Sequence, residues 1–208
     1  MPFGFSRRGS PKPAPASASA RPVSGGRGIP FDGLTEEWRL VGRMEVEGRF
    51  SDILNRRESI AISGVHWAPL DGSAEMTPAP GLERVDPFDL IAVFAGVGSL
   101  PSLTEAERAA HKVHKVPYDV ALEVPPIQVV GTVYLFPGSE PERLMDRSTD
   151  LFVPVTDAVV LLGGRPLNDP EVDVVLVNRS YLRGIDQVDR HTVDAARALL
   201  GLAAREPG

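Results

Sequence analysis

Val41-Gly42-Arg43-Met44-Glu45-Val46 and Val130-Gly131-Thr132-Val133-Tyr134-Leu135 share one pattern, a glycine set inside a largely apolar run. The likeness continues downstream of both motifs. Leu54-Asn55-Arg56 precedes an apolar run that starts at Ile60, and Met145-Asp146-Arg147 precedes one that starts at Leu151. Partial alternation of apolar and polar residues marks strands with one buried face, and the short polar stretch between marks a turn of helix. Looser matches pair Leu90 to Phe94 with Val174 to Asn178, and the helix start Thr104-Glu105-Ala106-Glu107 with Thr192-Val193-Asp194-Ala195. Loop lengths differ between the copies, and insertions collect in surface connections. The expected fold class is α+β and mainly β. Two similar β-rich units, each with a short helix and three or so curved strands, would pack side by side or as two small barrels, with a C-terminal helix added.

Outward from these motifs, Trp38 to Val46 suits the first strand, Ser51-Asp52-Ile53-Leu54-Asn55 a capped helical turn, and Ser59 to Ala68 the next strand. Residues 72 to 87, broken by Pro78, Pro80 and Pro87, suit a long loop before a buried strand from Phe88 to Ala95. Tyr118 to Val124 alternates again, and Pro125-Pro126 separates it from Ile127 to Phe136. Pro141 to Asp146 predicts a short helix, Leu151 to Leu162 a strand interrupted at Pro154, Val172 to Asn178 another strand, and Asp194 to Ala204 an amphipathic helix. These elements set the domain boundaries: a disordered tail over 1–30, a first unit over 31–116 and a second over 117–208.

A chain of 208 residues with 42% hydrophobic and 24% charged residues has the material for a modest core in each half. No apolar run reaches the length of a membrane-spanning helix. Cysteine is absent, which excludes disulfides, thiolate zinc sites and thiol nucleophiles and is compatible with the cytoplasm, the expected location. The net charge of −6 hides a division. Arg7, Arg8, Lys12, Arg21 and Arg27 give the segment up to Gly28 a charge of +5, leaving about −11 on the rest. That basic tail is a candidate contact for nucleic acid or an anionic surface, since each neutralised phosphate releases counterions. Ser6-Arg7-Arg8 and Ala16-Ser17-Ala18-Ser19-Ala20 have the look of export signals, but Pro, Lys, Ala and Ser occupy the place of the required apolar stretch.

Sites that demand a specific chemistry are hard to find in this sequence. His111 and His114 would share a helix face, yet a third metal ligand is missing and Lys112 and Lys115 add positive charge, so no metal and no cofactor are expected. Asp52 with Glu58 and Asp146 with Asp150 fall in capping and turn positions, which accounts for them without catalysis. No Gly-x-Ser-x-Gly or phosphate-binding Lys loop occurs, and Gly96-Val97-Gly98 lacks the third glycine of a dinucleotide fingerprint. The most distinctive polar stretch is Asn178-Arg179-Ser180-Tyr181-Leu182-Arg183-Gly184, at the end of a buried strand. Asn178, Arg179, Tyr181 and Arg183 there are candidates to grip a partner carboxylate or phosphate, because guanidinium is a bidentate donor. Its spacing is one residue longer than the Asn-x-Ser-x-x-Gly element of PilZ domains.

Pro125-Pro126 leading into Val130-Gly131-Thr132, the segment Phe152-Val153-Pro154-Val155-Thr156-Asp157-Ala158, and Val175-Leu176-Val177-Asn178-Arg179 together resemble an uncharacterised group of bacterial proteins. The resemblance covers mainly residues 117–186 and touches the first unit through Ser51-Asp52-Ile53-Leu54-Asn55. It implies no activity. By elimination the expected function is a non-enzymatic binding or scaffold module that engages a protein partner or copies of itself through strand edges or loops. A small Sm-like barrel that binds RNA with help from the tail is the first alternative, and a small-molecule sensor the second.

Overall fold

A computed structural model describes residues 28–45, 49–96, 115–146 and 150–203, with side chains through 201. The tail residues Arg7, Arg8, Lys12, Arg21 and Arg27, the helix expected from Thr104, and His111 and His114 lie outside the described residues. The first half runs β1 (Gly28–Leu34), β2 (Trp38–Glu45), α1 (Phe50–Asn55), β3 (Ile60–Pro69), β4 (Thr77–Pro78), β5 (Arg84–Val85), a 3-10 turn (Pro87–Asp89) and β6 (Ala92–Ala95). The second runs β7 (Val116–Val124), β8 (Ile127–Leu135), a 3-10 turn (Pro141–Met145), β9 (Phe152–Leu162), β10 (Arg165–Pro166), β11 (Val174–Asn178), another 3-10 turn (Arg179–Tyr181) and β12 (Gly184–Gln187). Helix α2 (Arg190–Ala203) ends the described chain. Among the described residues each half thus has six strands, a helical turn after the second strand and a 3-10 turn before the sixth, where three or so strands were expected.

The twelve strands form one antiparallel sheet in the order β12-β7-β8-β9-β11-β6-β1-β2-β3-β4, with β10 on β9 and β5 on β3. The architecture is mainly β with a C-terminal helix, and the hydrogen-bonded path is open rather than two closed barrels. Three local expectations change. Residues 28–30 belong to β1, where Pro30 pairs with Arg43 on one side while the ladder to β6 engages only Gly33 and Leu34 on the other, so its missing amide costs little. Pro154 does not interrupt β9, because it sits opposite Leu176 within a continuous ladder. Leu90 to Phe94 and Val174 to Asn178 do not hold the same place in the two halves, since β6 follows its 3-10 turn and β11 precedes its own, and the two strands pair with each other, Val93 facing Leu176 and Phe94 facing Val175.

That β6–β11 seam joins the halves, and its composition explains how. Val93 and Ala95 of β6 and Leu176 of β11 pack into one core with Phe31, Met44, Ile62 and Leu54 of the first half. The alternate residues Ala92 and Phe94, Val175 and Val177 pack into a second core with Val120, Leu122, Val129 and Val155. A strand buried on both faces must be apolar at every position, and Ile91-Ala92-Val93-Phe94-Ala95 and Val174-Val175-Leu176-Val177 are.

The shared glycine pattern has a geometric cause. The ladder slips at Gly42 between β2 and β3 and at Gly131 between β8 and β9. A Cβ on Gly42 would lie 2.9 Å from the Ser63 carbonyl oxygen, and one on Gly131 would lie 2.8 Å from that of Thr156. On the facing strands the next residues, Gly64 (φ +59) and Asp157 (φ +51), both adopt left-handed backbone. Both bulges therefore place a glycine where the facing backbone comes too close for a side chain.

Asp157 departs from glycine because its carboxylate anchors α2. It accepts from Arg190 at 3.0 Å and from Arg197 at 2.6 Å, while Val193, Ala196 and Leu200 cover Ala121, Val130 and Val159. The bond to Asp157 raises the Arg190 guanidinium above its ordinary range. Asp157→Ala is expected to lower stability by about 1–2 kcal/mol in urea unfolding, combining lost, partly exposed ion pairs with left-handed strain. Asp157→Gly removes the strain and should cost about half as much. Equal losses in the two variants would show that the backbone conformation carries no strain.

Candidate functional site

Asn178 is fully buried at the end of β11, and its side chain is committed inside the fold. Its Nδ2 donates to the carbonyls of Pro87 at 3.2 Å and Leu90 at 2.7 Å, across the seam, while its Oδ1 accepts from the Ser180 amide at 2.9 Å. It has no atom to offer a partner. Tyr181 likewise donates across the seam to the Phe88 carbonyl at 3.0 Å, and burial, followed by the charges of Glu36 and Asp89, raises its phenol above the ordinary range. The half-buried Arg179 donates to the Asp146 carbonyl at 3.0 Å, and burial lowers its guanidinium from the usual value. Arg183 alone of the four is exposed, with its amide bonded to the Glu123 carbonyl. Three of the four candidates thus fasten one part of the fold to another, each through its own partners.

The seam is reinforced by residues that sequence patterns did not single out. Arg39 pairs with Asp32 at 2.6 Å, lies 5.3 Å from the Phe94 ring centre and donates to the Leu167 carbonyl at 3.0 Å. Burial pushes the Asp32 carboxyl above its ordinary range, with Arg39 opposing. Arg165 reaches the Asp71 carbonyl at 2.6 Å, and Asn55 accepts the Phe152 amide at 2.8 Å. A short signal for this role exists in the sequence. Asp86 and Asn178 each stand four residues before a buried leucine, Leu90 and Leu182, and each caps a 3-10 turn through its side chain.

The concave surface lies elsewhere, at the outer end of the first half. An open groove of about 660 Å³ runs between β3 and the 78–84 segment. Its wall is shaped by the turn Ala79-Pro80-Gly81-Leu82, closed by the Leu82 amide on the Ala79 carbonyl at 3.2 Å, with Gly81 at φ +91. Proline followed by a left-handed glycine is the sequence such a turn demands. Ladders cover β3 at Ile60 and Ala61 through β5 and at His66 and Trp67 through β4. The Ile62 amide donates to the Glu83 carbonyl at 2.9 Å, and the Val65 carbonyl accepts the Ala79 amide at 2.8 Å. Among the described residues the gap on that side is therefore the two residues Ser63 and Gly64, with His66 Nδ1 3.2 Å from the Gly64 carbonyl oxygen. Exposed Ala61, Ser63, Gly64 and Gly81 leave room for close backbone approach, with Glu45, Glu83, Arg84 and His66 supplying charge and polarity.

Beside it, Trp38 and Trp67 stack with ring centres 4.8 Å apart, and Trp67 and Met76 are exposed. A smaller hollow of about 220 Å³ brings Trp38 and Tyr181 to Glu36, Glu37 and Asp89. Asp52 and Glu58 lie on and just after α1, Asp146 ends a 3-10 turn, and no group of three or more metal-ligating side chains forms among the described residues. No helix among them is long and apolar enough to cross a membrane. No family model, curated protein or solved structure matches this chain.

Proposed function

We propose that this chain, built from two copies of one six-strand unit, is a non-enzymatic binding module that takes an extended segment of a protein partner in the groove beside β3. The observation that carries this reading is the groove over Ser63 and Gly64, where no ladder among the described residues covers β3, floored by small residues and flanked by the proline turn. A partner segment laid across this two-residue gap can approach the backbone closely, and its side chains would meet the apolar and charged walls, while the β3 groups on either side stay bonded to Glu83 and Ala79.

The RNA-binding reading draws support from the exposed Trp67 stacked on Trp38, since a base can stack on an aromatic face. Glu36, Glu37 and Asp89 nearby oppose it, because they repel phosphates. One experiment separates the readings. Intact protein and the variant Ser63→Trp, which fills the groove from an exposed position, are used to capture partners from the host with and without nuclease. The protein-binding reading expects a partner that survives nuclease and falls at least tenfold with Ser63→Trp. Capture that is unchanged by the variant discards the groove, and capture lost only with nuclease promotes RNA.

A further inference from the structure

The β6–β11 seam is one instance of a joint whose two sides recur, unpaired among the described residues, at the outer edges of the sheet. In the first half β5 occupies the place that β11 holds in the second. Each pairs with the strand after the helical turn, Val85 with Ile60 and Val177 with Val153, and each leads into the Asx-capped 3-10 turn. In the second half β12 occupies the place of β6, since each follows that turn and pairs with the first strand of its half. A second copy could therefore be added head to tail by laying its β12 along β5 in the register of the seam.

We propose that these two outer edges are built to refuse that addition, so that the chain stops at two units. Matching the capping residues Asp86 and Asn178, and the buried Leu90 and Leu182, fixes which residues would meet. In the seam Val175 faces Phe94 and Leu176 faces Val93. At the outer joint Glu83 would stand for Val175 and Asp186 for Phe94, so two carboxylates would face each other. Arg84 would stand for Leu176, putting a guanidinium opposite Ile185. Like charges directly opposed across strands repel, and the Arg84 guanidinium, which donates to the Ser59 hydroxyl and carbonyl, would lose its remaining hydration against an apolar neighbour. All three charged residues are exposed in the present structure, where they keep that hydration. The pattern matches the general use of charge, short strands and proline to blunt edges, and β5 spans two residues while the neighbouring β4 carries Pro78. This inference does not depend on the groove's being a peptide site, because it concerns only how the two edges would meet.

The test is sedimentation velocity of the full chain over a hundredfold concentration range at neutral pH. The parent protein is expected to remain a monomer throughout. The variant Glu83→Val, Arg84→Leu, Asp186→Phe restores seam-like residues on both edges and should associate at least tenfold more tightly. A mixture of Glu83→Val, Arg84→Leu protein with Asp186→Phe protein, each repaired on one edge, should stop at one-to-one dimers. Random aggregation of apolar variants would not produce that stop. Concentration-dependent association of the parent overturns the proposal, as does a triple variant that keeps the parent's circular dichroism and stays monomeric.

Discussion

Replacing Asn178 with alanine is expected to destabilise the protein by about 3 kcal/mol in denaturant unfolding, the largest loss from any polar substitution in the seam. The change would remove three internal bonds and leave the carbonyls of Pro87 and Leu90 and the amide of Ser180 without this partner in a dry site. A buried polar group stripped of its partner costs its full desolvation, about 1–3 kcal/mol, and some of this is recovered by local relaxation. Asn178→Asp makes the sharper comparison. An aspartate keeps an acceptor for Ser180 but turns a carboxylate oxygen toward two carbonyls, so it should be at least as harmful as alanine. The corresponding Asp86 tolerates the acid because it is exposed and its side chain needs only to accept the Phe88 amide. If Asn178→Asp proves as stable as the parent, the amide donors do not hold the seam.

Gly131→Ala should produce the second large effect, about 2–3 kcal/mol, although it adds a single methyl group. The new Cβ would lie 2.7 Å from Val155 Cγ1, 2.8 Å from the Thr156 carbonyl oxygen and 3.1 Å from Ala158 Cα, and two of those neighbours are backbone. A side chain can rotate out of the way, whereas the facing strand moves only by breaking its ladder to β11. Gly42→Ala is expected to cost less, since its nearest contact is 2.9 Å and the others are 3.3 Å. Thermal unfolding of the two variants side by side tests the ranking. A Gly131→Ala protein within about 0.5 kcal/mol of the parent would mean that the bulge is loose enough to accept any small residue.

These two positions also show how far the sequence could be read. Gly131 and Gly42 stand out in the chain because an isolated glycine in an apolar run marks a bulge or a close backbone approach, and both occur here. Strands β2, β3, β8, β9 and β11 emerge from their apolar patterns for the same reason. Pairing is another matter. The run Ile91 to Ala95 shows that β6 is buried on both faces but carries no label for its neighbour, so its match to β11 emerged only from the sheet. Strands β1 and β12 were missed because Gly28, Pro30 and Gly33 in one and Gly184 and Asp186 in the other suppress any alternating signal. Asn178 is legible as special, and what the pattern does not show is that its side chain is bonded inside the fold. A polar cluster after a buried strand looks the same in sequence whether it meets solvent or a second set of backbone carbonyls.

The two faces of β6 have a consequence for the order in which the molecule comes into being. A ribosome delivers the first half before the second, and domains fold largely as they emerge. When residues 28–96 have emerged, Val93 and Ala95 can meet Phe31 and Met44, while Leu151, Phe152 and Leu176 of the same core are still to come. Ala92 and Phe94, together with Leu34 and Ile91, belong to a core whose remaining walls are still unmade. Until residues 174–177 arrive, a first half that folds as it emerges would keep that apolar face and the β6 edge uncovered, the kind of surface that chaperones shield.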